Sequence, residues 1–315
     1  MSRVWLSWLL GIVAIVALSL ILECYVGDLY RKLLLTVALC LSFNYLFGIS
    51  GQLAFSHIAF YGIGAYGVVI LTYKVGLPLP LAIIGAVISC GLLSFIVAVP
   101  ATRLKGFYLA LATLAFAQLF NVLLLQGGDI TGGPEGISGF SAKGYFGVPS
   151  SGGAYTVVIA GILIFTFAIL LLLDRSWFGR ACRAIRDNEA AAEAMGVNIF
   201  RTKVAAFVVT STLSGIAGIS YAFADNYINP TVFTLEPLFL LLFMIIVGGT
   251  GRHAGAILGA VVLFLAPEML EAWIGRHYLL GFGVVMVLVI LFLPSGLIGL
   301  VDRFQDRLAA HGDRQ

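Results

Sequence analysis

Few side chains in this 315-residue sequence could do covalent chemistry, and their spacing fits none of the common kinds. The four histidines, His57, His253, His277 and His311, match neither zinc-ligand nor metalloprotease spacing. His57 has no Asp or Glu near it in sequence, so it reads as a helix-end hydrogen-bonding group rather than a proton relay. The four cysteines, Cys24, Cys40, Cys90 and Cys182, form no CxxC pair, and three lie inside apolar runs. They read as small apolar filler, with no disulfide framework and no metal site. Gly248-Gly-Thr-Gly251-Arg-His comes nearest to a phosphate-binding loop, but it lacks the lysine and the order of GxxxxGK[ST]. A tight turn between two membrane spans is the better reading. No nucleophile-and-base cluster marks an enzyme. The polar residues left inside apolar stretches are neutral: Asn44, Gln52, His57, Thr113, Gln118 and Asn121. A charge at the membrane centre costs about 2.5–3.5 kcal/mol on insertion scales. Each neutral group can instead make an interhelical hydrogen bond worth about 0.6 kcal/mol. As a set they outline a mildly polar, uncharged translocation pathway, with Gln118 and Asn121 three apart on one helix face. Such a path fits release of a solute handed over by a partner better than tight binding.

The elements that must position these residues are membrane spans. The chain is 61% hydrophobic and only 10% charged, against about 25% charged in a soluble domain. Lipid must therefore cover much of it. The net charge of +3 is too small to point to nucleic acid. A span needs about 20 apolar residues, which places helices near 5–25, 30–48, 53–73, 79–99, 106–126, 154–173, 204–224, 235–250, 255–273 and 278–298. The expected fold is all-α and polytopic, about ten spans in a single transmembrane domain over 1–315, with the third and eighth spans broken or re-entrant. Gly48 and Gly51 interrupt the third, and the eighth is short and ends in Gly248-Gly249. Such backbone survives at membrane depth only where protein or a water-filled cavity covers it. The N-terminal apolar stretch after Arg3 is too long for a signal-peptide core and reads as a retained span.

With ten spans, one side holds Arg3, Arg103, Lys105, Arg175, Arg180, Arg183, Arg186, Arg201, Lys203, Arg252, Arg303, Arg307 and Arg314. The other side holds Arg31, Lys32, Lys74, Lys143 and Arg276. By the positive-inside rule both termini are cytoplasmic. Arg31 and Lys32 stand on the wrong side and are expected to snorkel or to pair with Glu23 or Asp28. Two long connections remain: a Gly- and Ser-rich, flexible extracytoplasmic loop at 127–153, and a basic cytoplasmic loop at 174–203.

The cytoplasmic loop is the most informative segment. Ala, Arg and Glu predict one helix from Arg180 to Met195, with Gly196 as its C′ residue and Asn198 as the N-cap of the next helix. Helical spacing puts Ala181, Ala184, Ile185, Asn188, Ala191, Ala192 and Met195 on one side, with Arg180, Arg183, Arg186 and Glu193 around it. A small-residue face with a charged rim suits docking into a partner's groove.

This segment resembles the EAA coupling loop of ABC importer permeases, and more closely the LivM-type branch of the branched-chain amino-acid permease family. Three other stretches are similar to that family's motifs: Gly48-Ile-Ser-Gly51-Gln-Leu-Ala-Phe-Ser-His57 through Gly67; Gly106-Phe-Tyr-Leu-Ala-Leu-Ala-Thr113 followed by Thr131-Gly-Gly133-Pro-Glu-Gly136; and Gly248-Gly-Thr-Gly251 through Gly259. Their order and spacing cover about 35 to 298. In the register anchored on Gly196, Ala190, Ala191 and Ala192 occupy the EAA positions and the acid falls one place early, at Glu189; either Glu189 or Glu193 could take the conserved acid's role.

The resemblance implies that the loop docks on a separate cytoplasmic ATPase, which binds the ATP and magnesium. It implies a second homologous permease, two ATPase subunits, a periplasmic solute-binding protein touching Thr131, Gly132, Gly133 and Glu135, and a bacterial inner-membrane location. This chain then carries no cofactor of its own and is not an enzyme. The solute expected by resemblance is a branched-chain amino acid, with urea, short amides and aromatic acids as relatives' alternatives. The competing reading is an ion-coupled secondary transporter of a small neutral solute, which calls for paired ionisable residues within the spans.

Overall fold

The computed structural model describes residues 24–140 and 153–274, together with residues 283, 291 and 296–299. All but a few residues of the expected spans at 5–25 and 278–298 lie outside them. Helix α1 (Cys24–Asn44) runs into a π-helical turn at Tyr45–Ile49. After an irregular stretch, α2 (His57–Val69) follows and also ends in a π turn, Ile70–Lys74. Then come α3 (Leu79–Ala101), α4 (Phe107–Gln126) and α5 (Gly153–Arg175). Two short helices, α6 (Trp177–Asp187) and α7 (Glu189–Ala194), lead to α8 (Ile199–Asp225), α9 (Leu235–Gly248) and α10 (His253–Ile274).

Six helical stretches among the described residues are long and apolar enough to cross a membrane: Val26–Ile49, Leu79–Ala101, Phe107–Gln126, Gly153–Arg175, Ile199–Asp225 and His253–Leu270. The two expected to be irregular are the short ones. The third begins only at His57 because Ser50 to Ser56 is not helical. The eighth, α9, has 14 residues, about 21 Å of helix at 1.5 Å per residue, short of the roughly 30 Å hydrocarbon core.

Helix boundaries follow local chemistry. Pro78 and Pro80 start α3, where a missing N–H costs nothing, and Pro100 ends it within a turn. Asn226, in the left-handed conformation at φ 53°, closes α8.

The core is the pair α1 and α8, whose apolar stretches are 78% and 72% buried, against 28–33% for α3, α4, α5 and α10. Helix α2 is wrapped by protein, packing most extensively on α8 and then on α3. The close approach rests on glycine: a Cβ on Gly64 would collide with the Gly215 carbonyl, and one on Gly218 with the Tyr61 carbonyl. Outward rows such as Ile84, Ile88 and Leu92 of α3 are exposed. Rows of this kind suit lipid or a membrane partner rather than water.

The loop expected to be flexible at 127–153 is structured over its first half; residues 141–152 lie outside the described residues. Gly133–Glu135 form a single 3-10 turn, and β1 (Ile137–Ser138) pairs antiparallel with β2 (Tyr227–Ile228), Ile137 opposite Ile228. The all-α expectation gains this two-stranded clasp, which fastens the loop to the exit of α8.

The helices give the molecule two ends. At one end α6 and α7 meet the α1–α2 break, the α3–α4 turn, the start of α8 and the α9–α10 turn. At the other lie the β clasp, the start of α1 and the end of α8.

Candidate functional site

The elbow between α5 and α8 is built by caps. Ser176 Oγ accepts from the Phe178 N–H at 3.1 Å and starts α6. The single helix expected from Arg180 to Met195 is broken at Asn188, whose extended backbone ends α6 and whose Oδ1 accepts from the Ala191 N–H at 3.1 Å to begin α7. The side chain offers the backbone an alternative to continuing the helix, and the high propensity of the flanking alanines does not outweigh it. At the far side of α7 the Val197 N–H bonds the Ala192 carbonyl at 3.1 Å and the Gly196 N–H bonds that of Glu193 at 2.9 Å. This is a Schellman closure with Gly196 as C′ at φ 82°. Asn198 takes the N-cap position expected for it, Oδ1 to the Arg201 N–H at 2.9 Å.

The break splits the small-residue face. Ala181, Cys182, Ile185 and Ala192 are buried against the rest of the chain. Ala184, Asn188, Ala190, Ala191, Glu193 and Gly196 are exposed, and Met195 is 85% exposed. The inner face holds the elbow to its own protein, and the outer face of α7 is left for something else. Burial pushes the Cys182 thiol up to about 11, against the lowering effect of the neighbouring Ser50 and Tyr45 hydroxyls and the Arg183 charge.

The expected charged rim turns back on the chain. Arg183 pairs with Asp174 and also donates to its carbonyl at 3.0 Å, and Asp174 Oδ2 lies 3.9 Å from His253 Nε2 at the start of α10. Arg180 Nη1 donates to the Arg175 carbonyl at 3.3 Å. Glu189 Oε1 meets Lys203 Nζ at 2.6 Å, and the Lys203 carbonyl accepts from Gln52 Nε2 at 3.3 Å. Glu189 is thus tied to α8 and the α1–α2 break, while Glu193 faces outward. Arg186 reaches furthest: its Nη1 donates to the Gly48 carbonyl at 2.8 Å. A Cβ on Gly51 would stand 2.7 Å from Arg186 Cγ, and one on Gly251 would stand 3.1 Å from Arg186 Nη1. Both glycine-rich breaks therefore close around one arginine of the elbow.

The neutral polar residues mostly stitch these irregular pieces. Asn44 Oδ1 accepts from the Gly251 N–H at 3.0 Å and its Nδ2 donates to the Arg252 carbonyl at 3.3 Å, joining α1 to the α9–α10 turn. Thr113 Oγ1 accepts from the Phe55 N–H at 2.8 Å, satisfying the backbone before α2. Asn121 Nδ2 donates to the Pro230 carbonyl at 2.8 Å at the other end. His57 is fully buried with its ring 5.0 Å from that of Phe43. Gln118 does not share the environment of Asn121: it is exposed while Asn121 is buried. Three residues on a helix turn by 300°, which set this pair on either side of the protein–exterior boundary.

A family model described as the permease component of a branched-chain amino acid transport system matches residues 25–293. The chain belongs to this permease family. It is 31% identical over 300 residues to the high-affinity branched-chain amino acid permease LivM of Salmonella typhimurium, covering 86% of this chain and 69% of the relative. The LivM protein of Escherichia coli K12 matches to the same extent. The chain is also similar, at 28% identity over 150 residues, to LivH of Escherichia coli K12, covering 46% of this chain and 48% of LivH. No solved structure matches the chain.

At the opposite end of this permease the Thr131–Glu135 turn is well tied. Thr131 is buried and its Oγ1 donates to the Leu124 carbonyl at 2.6 Å. Gly133 is buried, Gly132 is half-buried, and Glu135 is exposed while its carbonyl accepts from the Tyr227 hydroxyl at 3.0 Å. Of the four, Glu135 is the one presented outward. Arg31 pairs with Asp28, as anticipated, and Nη1 reaches Thr156 Oγ1 at 3.3 Å. Lys32 pairs instead with Asp225 at 3.2 Å, across from α1 to α8. Proximity along the chain favours Glu23 or Asp28 as the partner of Lys32; the signal for Asp225 is a pair of opposite charges at the same end of two spans that run in opposite directions.

Proposed function

We propose that this chain is the permease subunit of an ABC importer that moves a branched-chain amino acid, or a related small solute, across the bacterial inner membrane. A separate ATPase supplies the energy and binds the ATP and magnesium. The observation that carries this reading is the grip of the elbow on both membrane breaks through Arg186 and the Gly48 carbonyl. A partner pulling on the exposed face of α7 displaces Arg186, and with it the junctions α1–α2 and α9–α10.

Orientation follows from charge. Arg103, Lys105, Arg175, Arg180, Arg183, Arg186, Arg201, Lys203 and Arg252 stand at the elbow end, against Arg31, Lys32 and Lys74 at the other among the described residues. The elbow end is cytoplasmic, as are both termini, and the Glu135 turn faces the periplasm and its solute-binding protein. Similarity to both LivM and LivH supports a second, related permease as the membrane partner; two ATPase subunits complete the assembly.

The test is co-purification and uptake with Gly196→Arg. An arginine at φ 82° distorts the closure of α7. We expect the ATPase to be lost from the complex and leucine uptake to fall at least tenfold. Normal ATP-coupled uptake in this variant overturns the coupling role, and uptake that survives removal of the ATPase subunits returns the chain to the ion-coupled class.

A further inference from the structure

A cavity of about 260 Å³ lies between α1, α2, α8, α9 and α10 and reaches the end that carries the β clasp, the periplasmic end in the orientation proposed above. Lys32 and Asp225 stand in its lining, 3.2 Å apart, with side chains 45% and 25% exposed. The rest of the lining is mainly apolar, including Ile58, Leu240, Met244 and Phe264, with Tyr61 and Tyr221 beside the charges.

An ion pair this exposed contributes little to stability, so holding α1 to α8 is a poor explanation for it. Asp225 is also the last residue of α8. The negative end of a helix dipole disfavours a carboxylate there and favours a cation. Two sources of negative potential thus converge on one point, with an ammonium group facing them and an apolar chamber behind. The volume is below the roughly 300–1,000 Å³ of drug-sized sites, which suits a single small solute.

We propose that this cavity is a binding station for a zwitterionic α-amino acid with an apolar side chain. Its carboxylate meets Lys32, its ammonium meets Asp225, and its side chain lies against Leu240, Met244 and Phe264. The ligand exchanges one weak ion pair for two, so the resting pair opens at little cost and closes again once the solute has passed. This inference rests on the transport reading above and names the outer recognition step within it.

The test uses the complete importer in proteoliposomes with saturating loaded binding protein and internal ATP, reading leucine uptake and ATP hydrolysis together. Asp225→Asn and Lys32→Gln are each expected to lower uptake at least tenfold while stimulated ATP hydrolysis stays within twofold. The double exchange Lys32→Asp with Asp225→Lys restores a structural ion pair but reverses the charges offered to the ligand. We expect it to leave uptake low while the complex elutes intact. Full recovery of uptake in the exchange, or unchanged uptake in the single variants, overturns the station while leaving transport in place. A wild-type complex that moves no apolar amino acid overturns the transport reading and the ligand assigned here with it.

Discussion

Arg186 donates to a backbone carbonyl in a helix break, an acceptor that no substitution elsewhere can remove. Shortening it to alanine therefore removes the elbow's hydrogen bond to the first break, while the Glu189–Lys203 and Arg183–Asp174 pairs remain, and it leaves the outer face of α7 untouched. We expect Arg186→Ala to keep the ATPase bound but to lower leucine uptake at least tenfold, with a stability loss of about 1.5–3 kcal/mol, the usual worth of one hydrogen bond from a charged group. Arg186→Lys keeps the charge but loses the planar fork, and partial recovery at most is expected. Wild-type uptake in Arg186→Ala would remove the elbow's grip from the mechanism. Cys182, next to this contact, reports whether the elbow lifts. Its thiol stands at about 11 in the fold, above the roughly 8.5 of a free cysteine. Thiolate is therefore scarce at neutral pH and grows about tenfold per unit as pH rises toward 11. The stability from keeping the thiol neutral is complete below about pH 8.5 and is lost as pH rises through 11. With Cys182 as the sole cysteine, maleimide labelling is expected to be slow at pH 7 and faster at pH 9. Rapid labelling at pH 7 in the resting complex would show that the elbow is already open.

At the scale of elements, the α2–α8 crossing depends on absent side chains. A Cβ on Gly218 falls onto the Tyr61 carbonyl, whereas one on Gly161 of α5 meets nothing within 4 Å. Overpacking a tight contact costs about 1–3 kcal/mol, and here the obstacle is backbone that cannot rotate away. Gly218→Val is expected to lower the midpoint of thermal unfolding and the yield of purified complex, while Gly161→Ala leaves both unchanged or slightly higher. Equal behaviour of the two variants would mean that the helices are not packed this closely. The crossing illustrates what sequence could show. Apolar length located each described span within about six residues, and the glycines flagged α2 and α9 as the irregular ones. The caps at Gly196 and Asn198 were readable because their chemistry is local. The break at Asn188 was not, because alanine-rich propensity pointed the other way and one side-chain hydrogen bond decided it. Nor did the sequence say which face of the elbow is inward: Ala181 and Ala184 are equally small, and only the packing of α6 against the membrane helices separates them. Interhelical hydrogen bonding by the polar set was legible, but its partners were not, since they are backbone groups far along the chain, and Gln118 proved exposed.

Over the whole molecule, one end is basic and tethered, and the other is clasped by two short strands and carries the paired charges Lys32 and Asp225. Under the proposed orientation Arg31 and Lys32 lie at the less basic end, and each meets an acid there, Asp28 and Asp225. Hydropathy alone could not place the ends, because shifting the span count by one inverts everything after it. The described helices remove that dependence: the elbow, both glycine breaks and the α3–α4 turn gather at one end whatever the number of spans before α1. A single accessibility experiment then orients the molecule. Met195 is 85% exposed on the elbow, and Glu135 is exposed on the opposite turn. In a background lacking the native cysteines, Glu135→Cys is expected to react with a membrane-impermeant maleimide added outside spheroplasts, and Met195→Cys to react only in inverted vesicles. Stripping the ATPase from those vesicles should raise the rate at Met195→Cys several-fold, because that side chain stands on the face left open for docking. Labelling of Met195→Cys from outside would invert the molecule and remove the elbow from reach of any ATP-driven partner.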